Sequence, residues 1–340
     1  MNKNVERSEI PISGAPSGKP KSQYHYLKKR YKSELQDFGR FLNKQDYSEN
    51  TKRQHLNYTA CFLQWIRENN QSESQIKYPE LLSYINHCNS QDNSIRLINR
   101  KLAAIRKYYQ YLELKGKTNR NPASGLFLKG KKSGIPNNLL DKEELQQIYE
   151  NYPVYDLRTA RNKIIISLVI HQALTTGELQ RLEPGHLELK SGKIKIVGTQ
   201  HTGGRTLELE ARQIIELQEY LQQTRPGILE ALKKSPNWSG RKVKRPDFKA
   251  LENQLFISLN GAVSIKNSLL HLTHGLKKIN PKVRDLRQLR QSVIAEWLKV
   301  EDVRKVQHKA GHKHVSTTER YQANNLEDLQ EALKNHHPLQ

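Results

Sequence analysis

The sequence predicts a mainly α-helical protein of two domains, with a small β-hairpin or sheet in the second. Three observations carry this reading. Apolar residues recur at helical spacing through most of the chain, a Gly/Lys-rich segment interrupts them near residue 130, and residues 193–210 alternate as strands do. A chain of 340 residues is also long for one core and comfortable for two.

Residues 1–26 are polar, rich in Ser, Gly, Pro and Lys, and read as a flexible basic arm. Helical periodicity begins at Leu27, where Leu35, Phe38, Phe41 and Leu42 share one face. Ser48 to Thr51 offers a second helix start, followed by the stripe Tyr58, Phe62, Leu63, Trp65 and Ile66. A third helix is predicted from Tyr78 to His87 and a fourth from Ser94 to Leu114. In the fourth, Ile95, Ile98, Leu102, Ile105, Tyr108, Tyr109 and Leu112 face inward, and Lys101, Arg106 and Lys107 project from its other surfaces, either as a solvated face or as candidate DNA contacts. Four helices with short polar connections make a helical domain over 27–122, closed by Asn121-Pro122. Residues 123–137 form the linker, with Lys131 and Lys132 in its basic centre as further candidate DNA contacts.

The second domain is expected over 138–340. Helices are predicted from Asp141 to Tyr152, from Arg161 to Gln172 and at Glu178 to Leu182. Lys193 to Val197 and Arg205 to Glu210 alternate about a Gly-containing turn and read as the hairpin, to which Leu255 to Leu259 adds a strand. Residues 225–249 read as an exposed basic loop over a short helix, and helices return from about Asp285.

Lys and Arg number 57 against 34 acidic residues, a formal charge of +23. Such an excess repels itself unless a polyanion neutralises it, and nucleic acid gains further from counterion release. An anionic membrane surface is the other candidate. The most apolar stretch, Ile164 to Ile170, is interrupted by Ser167 and far short of the roughly 20 residues that cross a bilayer. The opening residues show no apolar signal segment, and Cys61 and Cys88 have neither metal-ligand nor redox spacing, so reduced thiols in the cytoplasm are expected. His308, His312 and His314 cluster, but no further ligand has a suitable spacing for zinc; neither metal nor cofactor is expected.

The most informative stretch is Gly311-His312-Lys313-His314-Val315-Ser316-Thr317-Thr318-Glu319-Arg320-Tyr321. A Gly-His, a Thr-Thr pair and a Tyr nine residues after the His (321 − 312) resemble the signature of the tyrosine recombinase, or phage integrase, family. Upstream, Leu289-Arg290-Gln291-Ser292 resembles the family's Leu-Arg-His-Ser/Thr segment, 22 residues before His312 and about one fewer than usual. Residues 27–122 resemble the family's core-binding domain, and Leu174 to Leu179 its first-arginine segment.

The resemblance implies a helical core-binding domain and a tyrosine-recombinase catalytic domain that clamp duplex DNA. It implies Tyr321 as the nucleophile that forms a 3′-phosphotyrosine, with Arg290 and His312 holding the phosphate, and no metal or ATP. Guanidinium groups suit that task because their planar fork gives directed, permanently charged hydrogen bonds. Strand exchange would pass through a Holliday junction in a tetramer on two duplexes, with the segment 325–333 docking into a neighbouring protomer. Integration, excision or transposition of a mobile element is the implied setting.

Three positions depart from the family pattern. Its first arginine falls at Thr175, its hairpin lysine at Thr199, and the histidine three residues before the second arginine at Arg287. Arg287 is one helical turn from Arg290 and is a candidate second clamp, while Arg205, His201 and Lys195 are candidate substitutes for the lysine. Thr317 and Thr318 are expected to cap the short helix that presents Tyr321. Thr175 and Thr199 motivate one alternative, a non-cutting DNA-binding partner of an active recombinase; another is an architectural or regulatory DNA-binding protein that resembles the signature by chance.

Overall fold

Ser48 and Ser94 set the frame of the N-terminal half: each side chain accepts a backbone N–H three residues on, at 3.3 Å, and so starts a 20-residue helix. The computed structural model describes residues 27, 29–130, 138–199, 202–234 and 246–322. The arm, the linker residues Lys131 and Lys132, His201 and the segment 325–333 lie outside these. The chain forms two compact units, Met1–Lys132 and Ser133–Gln340.

The first unit contains α1 (Lys32–Asn43), α2 (Glu49–Glu68), α3 (Tyr78–Ser90) and α4 (Ile95–Leu114). Aromatic side chains fill its centre: Phe38 meets Tyr108 edge-on at 5.2 Å, and Phe62 meets Tyr84 at 5.1 Å. On α4 two expectations are corrected. Ile95, the first residue of the helix, is exposed, and Lys101 is buried.

The second unit is built around α6 (Leu157–Gln172), whose residues Ile164 to Ile170 are all buried. Such a helix, apolar all round, needs neighbours on every side. They include α5 (Lys142–Glu150), α8 (Ala211–Glu219) and α12 (Leu286–Val300). Short α7 (Thr176–Arg181) follows directly. The sheet is antiparallel in the order β1 (Leu187–Glu188), β2 (Lys193–Ile196), β3 (Arg205–Glu208), with Ile194 opposite Leu207 and Ile196 opposite Arg205.

Three further expectations are corrected. Leu255 to Leu259 is no strand: it runs through buried Leu255, Phe256 and Ile257, and Leu255 N–H donates to Leu182 O at 2.7 Å rather than to a strand. The segment 225–249 is helical at both ends, as α9 (Arg225–Lys234), anchored by buried Ile228 and Leu232, and α10 (Phe248–Glu252), while its centre, 235–245, lies outside the described residues. Helix α11 (Lys266–Ile279) precedes Asp285 and buries Leu269, Leu272 and Leu276 on one face. The chain then passes through α12, α13 (Val303–Ala310) and the helical residues 315–322, here α14.

Candidate active site

Gly311 ends α13 in the left-handed conformation, φ +68°, which glycine adopts without a Cβ clash. His312 N–H then donates to Gln307 O at 3.0 Å and Gly311 N–H to His308 O at 2.9 Å, the pair of bonds that closes a Schellman cap. The tip of the hairpin lies on this turn. Thr202 bridges His312 as an antiparallel partner, and Gly203 N–H donates to Gly311 O at 3.0 Å.

Tyr321 projects from α14 back onto this turn. Its ring lies nearly parallel to that of His312, centroids 6.2 Å apart, and it is 7% exposed. Burial raises the phenol above its ordinary value, opposed by the charge of Arg290, a hydrogen bond with Gln291, and the charges of Arg287 and Arg320. His312 Nδ1 is 2.9 Å from the Thr318 hydroxyl, and burial, with the charges of Arg290, Arg205 and Arg320, pushes its pKa down to about 4. The imidazole is therefore neutral at physiological pH. Thr318 is buried inside α14 and holds His312 rather than capping the helix.

Arg290 comes from α12, which Asp285 starts by accepting Gln288 N–H at 2.8 Å. Its guanidinium donates to Ala310 O at 2.6 Å and to Ala173 O, and lies 4.0 Å from Glu178. Ala173 is itself left-handed, φ +49°, a strained state for a residue with a Cβ. That turn directs its carbonyl at the arginine. Burial pulls Arg290 down to about 10, against the pull of Glu178, so it stays charged at neutral pH. Arg287 is exposed one turn earlier, and Arg287, Arg290 and Gln291 stand at i, i+3 and i+4, facing Tyr321 together.

Beneath them is a buried ion pair. Arg205 Nη1 meets Glu178 Oε1 at 2.6 Å with both side chains fully covered, and Arg205 Nε donates to Lys309 O at 2.7 Å. Burial alone would raise the Glu178 carboxyl. The hydrogen bond and charge of Arg205, the Thr175 backbone N–H and the charge of Arg290 hold it below its ordinary value instead. Thr175 begins α7 as a capping box: its hydroxyl accepts Glu178 N–H at 3.1 Å and donates to Glu178 Oε2 at 2.9 Å. Thr199 closes the hairpin tip on Thr202, hydroxyl to hydroxyl at 3.0 Å.

Several sequence expectations change here. Arg205 is committed to Glu178 and is no free hairpin cation. Lys195 points to solvent from β2, and among the described residues no hydrogen bond or ion pair joins it to the cluster. Lys101, expected on a DNA-facing surface, is 5% exposed with its ammonium 3.6 Å from Cys88 Sγ. Arg106 is turned inward, donating to Ala123 O at 3.0 Å and Leu126 O at 2.8 Å, because it pins the end of the first unit. Lys107 is half-buried over the Tyr47 ring. Lys101→Met is accordingly expected to leave DNA affinity unchanged in a titration and to leave stability equal or higher, since a well-packed apolar chain removes a desolvation cost. A loss of DNA affinity would return Lys101 to the interface. Gln291 and Glu178 are the site residues that sequence reasoning missed, and Thr318 was assigned a capping role instead of its bond to His312. Only the capping-box spacing of Thr175 and Glu178 could have signalled one of them.

Residues 29–116 match the phage integrase N-terminal SAM-like domain, and residues 138–328 match the phage integrase family. Tyrosine recombinase XerC of Staphylococcus saprophyticus is 21% identical over 300 residues, 86% of this chain and 92% of its own. Tyrosine recombinase XerD of Oceanobacillus iheyensis is 23% identical over 315 residues, 89% of this chain and 98% of its own. Among solved structures, the XerH site-specific recombinase bound to palindromic difH substrate aligns with a TM-score of 0.61 at 19% identity, covering 83% of this chain and 78% of that one. The Tn1549 transposon integrase in complex with transposon right end DNA aligns at 0.58 and 14% identity, covering 92% and 98%. The fold is that of the tyrosine recombinases. The chain belongs to the phage integrase family.

Proposed function

We propose that this protein is a site-specific DNA recombinase that cuts and rejoins strands through a phosphotyrosine at Tyr321. One observation carries the reading: Tyr321 is stacked on His312 and faced by Arg287 and Arg290 from one helix side. The phenol gives up its proton as its oxygen attacks a backbone phosphorus, the bond to the 5′-oxygen breaks, and that oxygen takes up one proton and leaves as a hydroxyl, so no net proton is consumed. The energy of the phosphodiester is kept in the covalent link, so the reverse attack by another 5′-hydroxyl rejoins the strand. Arg290, held by two carbonyls, has N–H groups left for a nonbridging oxygen, and Arg287 supplies a second guanidinium. A neutral His312 that accepts the Thr318 proton at Nδ1 carries its own proton on Nε2, as a donor to the same phosphate. Exchange between two duplexes in a tetramer, through a Holliday junction, completes the reaction, in the cytoplasm and on a mobile element.

The test is covalent capture on a nicked suicide duplex, with the DNA-bearing peptide identified after digestion. A denaturation-resistant band that maps to Tyr321 is expected.

A second reading is favoured by Thr175, whose side chain is committed to starting α7 where the family pattern has an arginine. On that reading the chain binds DNA beside an active recombinase without cutting, and no band forms on DNA it demonstrably binds. Thr175→Arg separates the two further. One transition-state donor is worth roughly 10²–10³ in rate, so the variant is expected to speed single-turnover capture by about that factor. The lost cap costs about 1 kcal/mol of stability. Unchanged capture would mean that Arg287 already fills the place.

A further inference from the structure

A cavity of about 490 Å³ lies in the second unit between the start of α6, the turn at 258–260 and α11. Its walls carry Arg158, Arg161, Asn267, His271, His274 and Lys278, and no carboxylate among the described residues lines it. Arg161 and the Ala173 carbonyl that holds Arg290 mark opposite ends of α6, and 11 residues of helix, about 16 Å, separate Arg161 from Gln172. The cavity is thus distinct from the Tyr321 cluster.

Arg161 is the unusual member. It is 2% exposed, donates to Ile257 O at 2.7 Å and shares Asn162 Oδ1 between two nitrogens at 3.3 and 2.8 Å. Those bonds use three of its five N–H groups. Tying down Ile257 needs only one of them, and a neutral donor would serve. What the fold keeps is a buried positive charge with no ion-pair partner among the described residues, a state that is costly unless a counter-charge arrives. Burial depresses its pKa accordingly. Around the cavity, Asn267, His271, His274 and Lys278 recur at i, i+4, i+7 and i+11 along one face of α11, and the two imidazoles lie 6.4 Å apart. Arg158, paired at 3.3 Å with Asp156, adds a partly neutralised guanidinium at the rim.

We infer that this cavity is a binding site for a phosphoryl oxyanion, with Arg161 as the fixed buried counter-charge and His271, His274 and Lys278 as the donors that close on it. Guanidinium, imidazole and ammonium groups converging without a carboxylate suit an anion with several acceptor oxygens. The same chemistry is offered by free phosphate and by a phosphodiester of nucleic acid. The inference does not rest on strand cleavage by Tyr321.

The experiment uses the full chain carrying Tyr321→Phe, so that no cleavage intervenes. Inorganic phosphate is titrated against thermal unfolding, with chloride at matched ionic strength as reference, in the presence and absence of a short DNA duplex. The comparison is the triple variant His271→Gln, His274→Gln, Lys278→Gln, whose side chains lie on the accessible face of α11 and whose fold is checked by its midpoint in chloride. Phosphate is expected to raise the midpoint saturably, with an apparent affinity at least about tenfold weaker in the variant, the loss that one or more charge-assisted hydrogen bonds account for. If the duplex suppresses the phosphate effect and binds more weakly to the variant, the ligand is a backbone phosphate. If duplex binding is equal in both, the ligand is a free one. A phosphate shift no larger than that of chloride, or one undiminished in the variant, would overturn the inference.

Discussion

Tyr321→Phe is expected to abolish covalent capture of DNA while leaving the fold and the affinity for DNA unchanged. The change removes one oxygen from a ring that is otherwise held by packing. The ring stacks on His312 and belongs to the core of the second unit, and phenylalanine keeps both contacts. What disappears is the proposed nucleophile and its hydrogen bond with Gln291. Burial holds the phenol above its ordinary value, so attack must be assisted by the surrounding guanidinium charges of Arg290 and Arg287. Two measurements check this together: capture on a nicked duplex and an electrophoretic shift on intact DNA. A variant that still forms a covalent band would remove Tyr321 from the chemistry, whatever its position.

Glu178→Gln is expected to cost the second unit about 3–5 kcal/mol, the range seen when one partner of a buried ion pair is removed. The carboxylate takes the Arg205 guanidinium on both oxygens, at 2.6 and 3.4 Å, receives Thr175 N–H at 2.8 Å and lies 4.0 Å from Arg290. An amide leaves two buried guanidinium groups facing each other without a counter-charge and turns an N–H₂ toward one of them. The carboxyl sits below its ordinary value in the folded state, so the unfolded chain takes up its proton first. The stability it confers is therefore present at neutral pH and lost as pH falls through the folded value. Urea unfolding at pH 7 measures the effect. The double variant with Arg205→Gln should lose less than the two single losses combined, because the orphaned charge is removed with its partner. A wild-type midpoint for Glu178→Gln would mean that water or a relaxed Arg205 already solvates the site.

These two residues also mark what the sequence could and could not disclose. The stretch from Gly311 to Tyr321 was legible because its logic is local: a left-handed glycine, a histidine and a tyrosine follow one another within three turns of chain. The same holds for Ser48, Ser94, Asp141 and Asp285, which start helices through contacts three residues away. Glu178 and Arg205 are 27 residues apart, and nothing in either segment announces that they meet. Lys101 was misplaced because helical periodicity says which face turns inward, and the lysine stem reaches Cys88 from its edge. Leu255 to Leu259 shows the weakness of a short apolar run, which fits a strand and a buried irregular segment equally. The hairpin was read correctly in place, but its tip chemistry depends on Thr202 meeting His312, 110 residues away (312 − 202).

Gly311 has been described as the residue that ends a helix, but its missing side chain also sets a clearance. A β-carbon there would stand 2.9 Å from Cζ of Arg205, closer than such atoms can rest, and a tight 3.2 Å from the carbonyl oxygen of Gly203. The guanidinium has nowhere to retreat, since Glu178 and Lys309 O already hold it from the other side. Any larger residue would act as a wedge, evicting the arginine from its carboxylate and prising the hairpin tip from the turn that carries His312. Substitution at 311 would thus look like a helix-end defect while its damage spread through the charge layer below. The glycine ahead of the histidine is the tolerance to which the whole assembly has been machined.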